Sequence, residues 1–271
     1  MIKFFRKIRQ NLLMENKTGK YFKYAIGEIV LVVIGILIAL QINNWNNEQN
    51  RIKSETIILK QLISDLTKSQ AELKKYEEAM VERAKACVIV CHAFYKEDIP
   101  NDSIYVYMRK PLGTEIYSPT LGTARSIINS GNISLIKSDD LKNKITAYVE
   151  IVEYKLKNIN RYEETYFRNG MMLLKEVMQI TNLFPKSDLL NLAVSDSILI
   201  SRNDKLNIMP SVIEKIPFEK DLKELYQNYK VFSAYNSLLI SHRNSAYVYN
   251  DIFEITNELL EELEEISTER D

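Results

Sequence analysis

Every seventh residue from Leu31 is apolar or aromatic: Leu31, Ile38, Trp45, Ile52, Leu59, Leu66, Leu73, Met80, Cys87 and Phe94 form one row in unbroken register. Residues 29–40 are apolar on every side of that row. Further along, polar and charged residues crowd the helix outside the row and its flank at Leu62, Ile63, Tyr76, Ala84 and Val90. A helix that is apolar all round suits lipid, whereas one with a single apolar stripe suits the surface of a bundle. The pattern therefore predicts a transmembrane helix over 24–45 that continues as the first member of a helical bundle domain over 46–271. The expected fold class is all-α: one N-terminal transmembrane helix running on into an elongated antiparallel helical bundle.

Only seven glycines and six prolines punctuate 271 residues, so few tight turns or sheet corners are available and helix is favoured. Polar residues at Glu55, Ser69 and Arg83 interrupt the second apolar position of the heptad. That interruption favours packing among several helices over a strict two-stranded coiled coil.

Charge is balanced overall and uneven along the chain. Residues 1–23 hold seven basic side chains against Glu15 alone, a net +6, which leaves 29 basic and 35 acidic residues, a net −6, in the remainder. A basic lead before an apolar run predicts a cytoplasmic N-terminus with the main domain outside. A cleaved signal peptide is the rival reading; the window 36–42 lacks a pair of small residues three apart, which favours an uncleaved anchor. The acidic body lacks the excess positive charge that phosphate backbones require, so nucleic acid is not an expected partner.

Within the basic segment, Ile2, Phe5, Ile8 and Leu12 oppose Lys3, Arg6, Lys7 and Arg9. This is either a short helix lying on an anionic inner leaflet, with membrane lipids as its partner, or a frayed tail. In the span, Trp45 fits the outer interface, and Tyr21 and Tyr24 fit the inner one. Glu28 stands one turn inside the inner boundary, where an ionised carboxylate is costly. It either snorkels toward Lys20, Lys23 or the headgroups, or serves as a protonatable or partner-pairing group in a membrane complex. Gly35 and Ala39, four apart, permit close packing of the membrane helix against a protein partner or a second copy.

Beyond the first helix, the residues 103–110 read as a short helix interrupted at Pro111. Ser118 and Pro119 read as an N-cap and first helical residue, predicting a helix over 119–130 stopped by Gly131. Ser138, followed by Asp139 and Asp140, caps a helix whose face runs through Leu141, Ile145, Tyr148, Val152, Ile159, Tyr162, Tyr166, Leu173 and Val177. The region 181–216 is irregular and is expected to cap one end of the bundle. A last helix is predicted from near Pro217 to about Ile266, burying Phe218, Leu222, Leu225, Tyr229, Phe232, Leu239, Ala246, Phe253, Leu260 and Leu263.

The opening Ile2-Lys3-Phe4-Phe5-Arg6-Lys7-Ile8-Arg9-Gln10 is followed by Tyr24-Ala25-Ile26-Gly27-Glu28-Ile29 and by Gln41-Ile42-Asn43-Asn44-Trp45-Asn46. With Ser130-Gly131-Asn132-Ile133-Ser134-Leu135-Ile136, these stretches resemble domain-of-unknown-function family 6090, bacterial envelope proteins known from Gram-negative Bacteroidota. The resemblance covers the first 46 residues closely and the remainder loosely. It implies an inner-membrane protein with one span and a helical periplasmic domain. It also implies that the acid at Glu28 belongs to the family's opening, and it implies no activity.

Residues that could carry chemistry are few. Cys87, Cys91 and His92 resemble a haem-attachment pattern with one residue too many, and a metal site there lacks a common direction and a fourth ligand. Buried reduced thiols beside an exposed His92 is the plainer reading. No phosphate cradle, nucleophile elbow or zinc-protease motif is present. Tyr148, Tyr154, Tyr162, Tyr166, Tyr226, Tyr229, Tyr235, Tyr247 and Tyr249 on the later helices either complete a core at its wet edge or line a cleft. The expectation is thus a protein without catalytic, cofactor or metal residues. It would sense, bind or scaffold outside the membrane, passing changes in bundle packing along the shared helix. The alternative is a subunit of an ion-driven or transport complex with Glu28 as its protonatable group.

Overall fold

The computed structural model describes residues 18–96, 101–113, 117–179, 183 and 218–268. Among these, helix dominates and no strand occurs, as the scarcity of glycine and proline led one to expect. The chain divides into two units, Met1–Ile58 and Leu59–Asp271.

Helix α1, Thr18–Ala93, is unbroken and contributes to both units. In the first unit its apolar run is exposed: Ile29, Leu31, Ile34, Leu37, Ile38 and Ile42 all present their side chains outward. The helix is long and apolar enough to cross a membrane, with a mean hydropathy of 2.3 in its most apolar window and none of that window buried.

The second unit is an antiparallel helical bundle. Here the heptad row turns inward, and Leu59, Leu66, Leu73, Met80 and Cys87 are buried. Each such side chain contributes about 1.5–3 kcal/mol on leaving water. Helix α2 is Ile104–Arg109, extended by a 3-10 turn at Lys110–Leu112 that accommodates Pro111. Helix α3 is Gly122–Asn129, α4 Asp139–Tyr162 and α5 Arg168–Val177, with a π-helical turn at Glu163–Phe167 between the last two. Helix α6 is Leu222–Tyr226 and α7 is Tyr229–Thr268, the long return of the bundle.

Hydrogen bonds and ion pairs set the register. Gln70 on α1 donates to Asn257 on α7 at 2.8 Å, and Tyr226 on α6 bonds the Val90 carbonyl at 3.5 Å, so the two directions oppose. On α4, Lys144 pairs with Glu262 and Lys155 with Asp251, so α4 also opposes α7 and runs the same way as α1. The chain must return between α1 and α4, and among the described residues α2, the 3-10 turn and the non-helical residues 117–120 lie along that return. The bundle is therefore up, down, up, down, with a broken strap in place of its second helix.

Several local expectations hold. The Ser138 side chain accepts from the Leu141 N–H at 3.2 Å, with Asp139 and Asp140 in the first turn of α4. Gly131 has φ +76, the left-handed conformation that ends α3 without a Cβ penalty. Other expectations fail. Helix α3 begins at Gly122 instead of Pro119, with no side-chain cap; residues 117–120 stay non-helical, and Tyr117 and Leu121 are buried. The last helix does not start at Pro217: Asp221 caps α6 by accepting from Glu224 N–H, and Asn228 then restarts the chain as α7. The break lets Tyr226 and Phe232 both close on the Phe94 ring, with centroids 4.4 and 5.3 Å away. Phe218 and Tyr229, expected inside, are exposed.

The face predicted from Leu141 to Val177 also changes register at the π turn. Gly170 and Leu174 are buried, whereas Leu173 is only partly so. Gly170 is required there, since a Cβ would lie 2.9 Å from both the Ala234 carbonyl and Leu238 Cγ of α7. Most of the region 181–216, expected to cap one end of the bundle, lies outside the described residues.

Candidate functional site

Gly35, Ala39 and Trp45 are exposed and Glu28 is half-buried, and a Cβ added at Gly35 would meet nothing within 4 Å. Lys3, Arg6, Lys7 and Arg9 lie outside the described residues. Cys87 and Cys91 are free and buried, while His92 points outward, so the three share no coordination direction. Burial pushes the Cys91 thiol up to about 11 and the Cys87 thiol higher still. Neither can supply a thiolate near neutral pH. Among the described residues no cluster of metal-ligating side chains forms.

The polar groups that do converge belong to the bundle interior. Three α7 residues at heptad spacing, Tyr235, His242 and Tyr249, each bond the backbone of the strap. Tyr235 Oη donates to the Met108 carbonyl at 2.9 Å, His242 Nε2 lies 2.8 Å from the Pro111 carbonyl, and Tyr249 Oη accepts from the Tyr117 N–H at 3.3 Å. These contacts satisfy strap groups that would otherwise be buried without a partner, because the strap has no continuous helix to bond them. A carbonyl only accepts, so the proton of the neutral His242 ring sits on Nε2.

The surroundings of these groups fix their protonation. Burial pushes His242 down to about 4; the Pro111 carbonyl opposes that shift and the Arg83 guanidinium adds to it. Burial raises the Tyr249 phenol to about 12 and lifts Tyr235 well above its ordinary range. Tyr76 packs edge-on against Tyr117 and at a tilt against Tyr249, with centroids 5.6 and 5.7 Å apart. Two turns further along α7, Tyr148 Oη and Thr256 Oγ1 share a bond of 3.1 Å between α4 and α7. At the other side, Ser241 Oγ donates to the Tyr162 carbonyl at the entrance to the π turn, and the Phe167 ring meets His242 edge-on.

These are contacts between neutral groups, and they tie the strap, α7 and the π turn into one assembly. Chemically the seam holds elements in place. The tyrosines at 235 and 249 were legible as core residues from their spacing, but the seam itself was missed. Its signal was the interval of seven from Tyr235 through His242 to Tyr249, a row of groups able to hydrogen-bond on a buried face. On the strap's outer side, Glu82 of α1 is held down to about 2 by its bonds to Lys110, 2.8 Å away, and Lys85, 2.9 Å away.

Fold and seam together define a helical protein with one apolar helix suited to a membrane and a bundle braced by buried side-chain-to-backbone bonds. The model of a family described as Family of unknown function (DUF6090) matches residues 28–213, more than half of the chain. The chain belongs to that family. Neither the curated proteins nor the solved structures include a match to it.

Proposed function

We propose that this protein is a membrane-anchored helical module that binds or scaffolds a partner at the bacterial inner membrane, with its N-terminus cytoplasmic and its bundle periplasmic. The observation that carries this reading is α1 itself. One unbroken helix bears an exposed apolar run over one part and buries its heptad row in the bundle over another. The basic excess before the span supports the orientation. The seam supports a binding or scaffolding role, since its groups are engaged in holding elements together. Any partner contacted through the membrane would meet Gly35 and Ala39, whose exposure leaves that face of α1 open to close packing.

Membrane fractionation with C-terminal reporters tests the anchor and its orientation. The protein should resist carbonate extraction, and alkaline phosphatase fused after Asp271 should be active where a cytoplasmic fluorescent reporter is dark. Recovery in the soluble fraction, or an inactive phosphatase fusion, overturns the reading.

Glu28, two residues beyond Ile26 on the apolar stretch, supports a second reading as the protonatable group of a transport complex. Glu28→Gln separates the two. An anchor tolerates the change with its complexes intact, whereas a proton-coupled subunit loses function.

A further inference from the structure

A groove of about 350 Å³ runs between α4 and α7 on the outside of the second unit. Ala147 and Ile151 of α4 line it with Ile255 and Leu259 of α7. Ala147 and Ile151 are exposed and Ile255 is half-buried, so hydrocarbon there meets solvent. The Tyr148 hydroxyl beside it is taken up by Thr256. Two ion pairs bridge the antiparallel helices, Lys144–Glu262 at one end of this apolar window and Lys155–Asp251 at the other. The span from Lys144 to Lys155 is about 16 Å along α4, or about three helical turns.

The walls are acidic over the same length. Glu254, Glu258 and Glu261 follow one another at intervals of four and three on the exposed side of α7. That spacing places them in one row with about 4.5–6 Å of rise between neighbours. The register set by the two bridges brings all three level with the window. On the opposite wall Glu150 of α4 is exposed. The lysines at the two ends are already engaged: Lys144 is shared by Asp140 and Glu262, and Lys155 holds Asp251. Glu150, Glu258 and Glu261 form no ion pair among the described residues. A row of like charges at this spacing weakens its own helix, and it runs parallel to an apolar strip of equal length. Both rows repeat at the rise of a helix, so the body that matches them is another helix, with apolar residues one turn apart and cations at the same interval beside them.

We propose that this groove docks a short basic amphipathic helix of a partner protein. Its apolar stripe lies over Ala147, Ile151, Ile255 and Leu259, and its lysines or arginines lie against Glu254, Glu258 and Glu261. Burial of the stripe supplies most of the affinity, while the acids select the partner and fix the side on which its cations lie. The same acids repel anionic lipid surfaces. The docking face rests on the reading of the protein as a binding or scaffolding module, and it gives that module's partner a chemistry.

The test uses the full chain in cells that natively make it, with the photoreactive residue benzoylphenylalanine in place of Ile151. Intact membranes are irradiated and the adducts sequenced by mass spectrometry. Position 151 should join a segment of another protein whose apolar residues recur at helical spacing with lysines or arginines beside them. Glu258→Lys together with Glu261→Lys should lower the yield about tenfold, since attraction at two exposed pairs becomes repulsion. Ala147→Trp, which fills the window, should remove the adduct. All three positions are exposed, and circular dichroism with a thermal melt checks that each variant stays folded. Adducts confined to lipid or to a second copy of this chain overturn the proposal, as does the absence of any adduct. So does a protein adduct whose segment lacks cations, or one that survives both sets of substitutions in folded protein. Carbonate extraction and the phosphatase fusion, run on the same variants, tell this failure from that of the anchored module: a chain that passes both and gives no such adduct loses the docking face alone.

Discussion

His242 Nε2 lies 2.8 Å from the Pro111 carbonyl, so an imidazole in the bundle interior holds the strap at the point where proline interrupts its helix. Pro111 cannot donate a backbone bond and disturbs helical pairing around it. The carbonyl it leaves inside the bundle is satisfied from α7 instead.

This bond makes stability depend on pH. The folded value of His242, about 4, lies below its ordinary 6.5. Between those values the unfolded chain binds the proton and the folded chain does not, so stability is complete above about 6.5 and declines as pH falls toward 4. The loss by pH 4 is about 3 kcal/mol. Urea midpoints of the detergent-solubilised protein at pH 7.5 and 4.5 measure it. His242→Gln, which can still donate to the carbonyl, should lose this part of the pH dependence; an unchanged dependence would assign it to other groups.

Gly170→Ala should destabilise the bundle by about 1–3 kcal/mol, because the new methyl meets a backbone oxygen as well as Leu238. A thermal melt should show a midpoint lowered by several degrees. An unchanged midpoint would mean that α5 and α7 can part at no cost.

Tyr249→Phe removes the acceptor for the Tyr117 N–H while keeping the ring packing against Tyr76. The expected loss is about 1–3 kcal/mol, the cost of a buried donor left without its partner. Hydrogen exchange at the Tyr117 amide should accelerate, with far smaller changes at amides in the middle of α4.

Cys87 and Cys91 should resist iodoacetamide at pH 8 in the folded protein and react fully in urea, since burial raises both thiols. Rapid alkylation under native conditions would place them at the surface.

Gly35→Leu and Ala39→Leu should leave the helicity and melting of the bundle unchanged, because a side chain at Gly35 meets nothing within 4 Å. If a second copy packs there, the same changes abolish crosslinking between copies in membranes. Undiminished crosslinking would move any such interface to another face.

Much of this architecture could be read from residue order alone. The interval of seven from Leu59 to Cys87 dictates a buried row because one helix can turn only one stripe inward. The unbroken apolar stretch over 29–40 likewise dictates a helix, the one conformation that pairs its own backbone within a single segment and without help from water. Ser138 and Gly131 set boundaries through bonds and dihedrals local to a few residues, which is why they were legible.

Other features answered to contacts between residues far apart in the chain. Ser118 and Pro119 carry a helix-start signal, yet Tyr117 and Leu121 are buried in a non-helical segment that leads into the bundle, and α3 starts later. Phe94 draws in Tyr226 and Phe232 and thereby splits the last helix in two. Residue order alone determined that this chain is helical, where it is apolar all round, and which stripe it buries. Only the tertiary structure decided that Tyr235, His242 and Tyr249 bond the strap, since hydrogen bonds across more than a hundred residues depend on which backbone groups packing leaves unsatisfied.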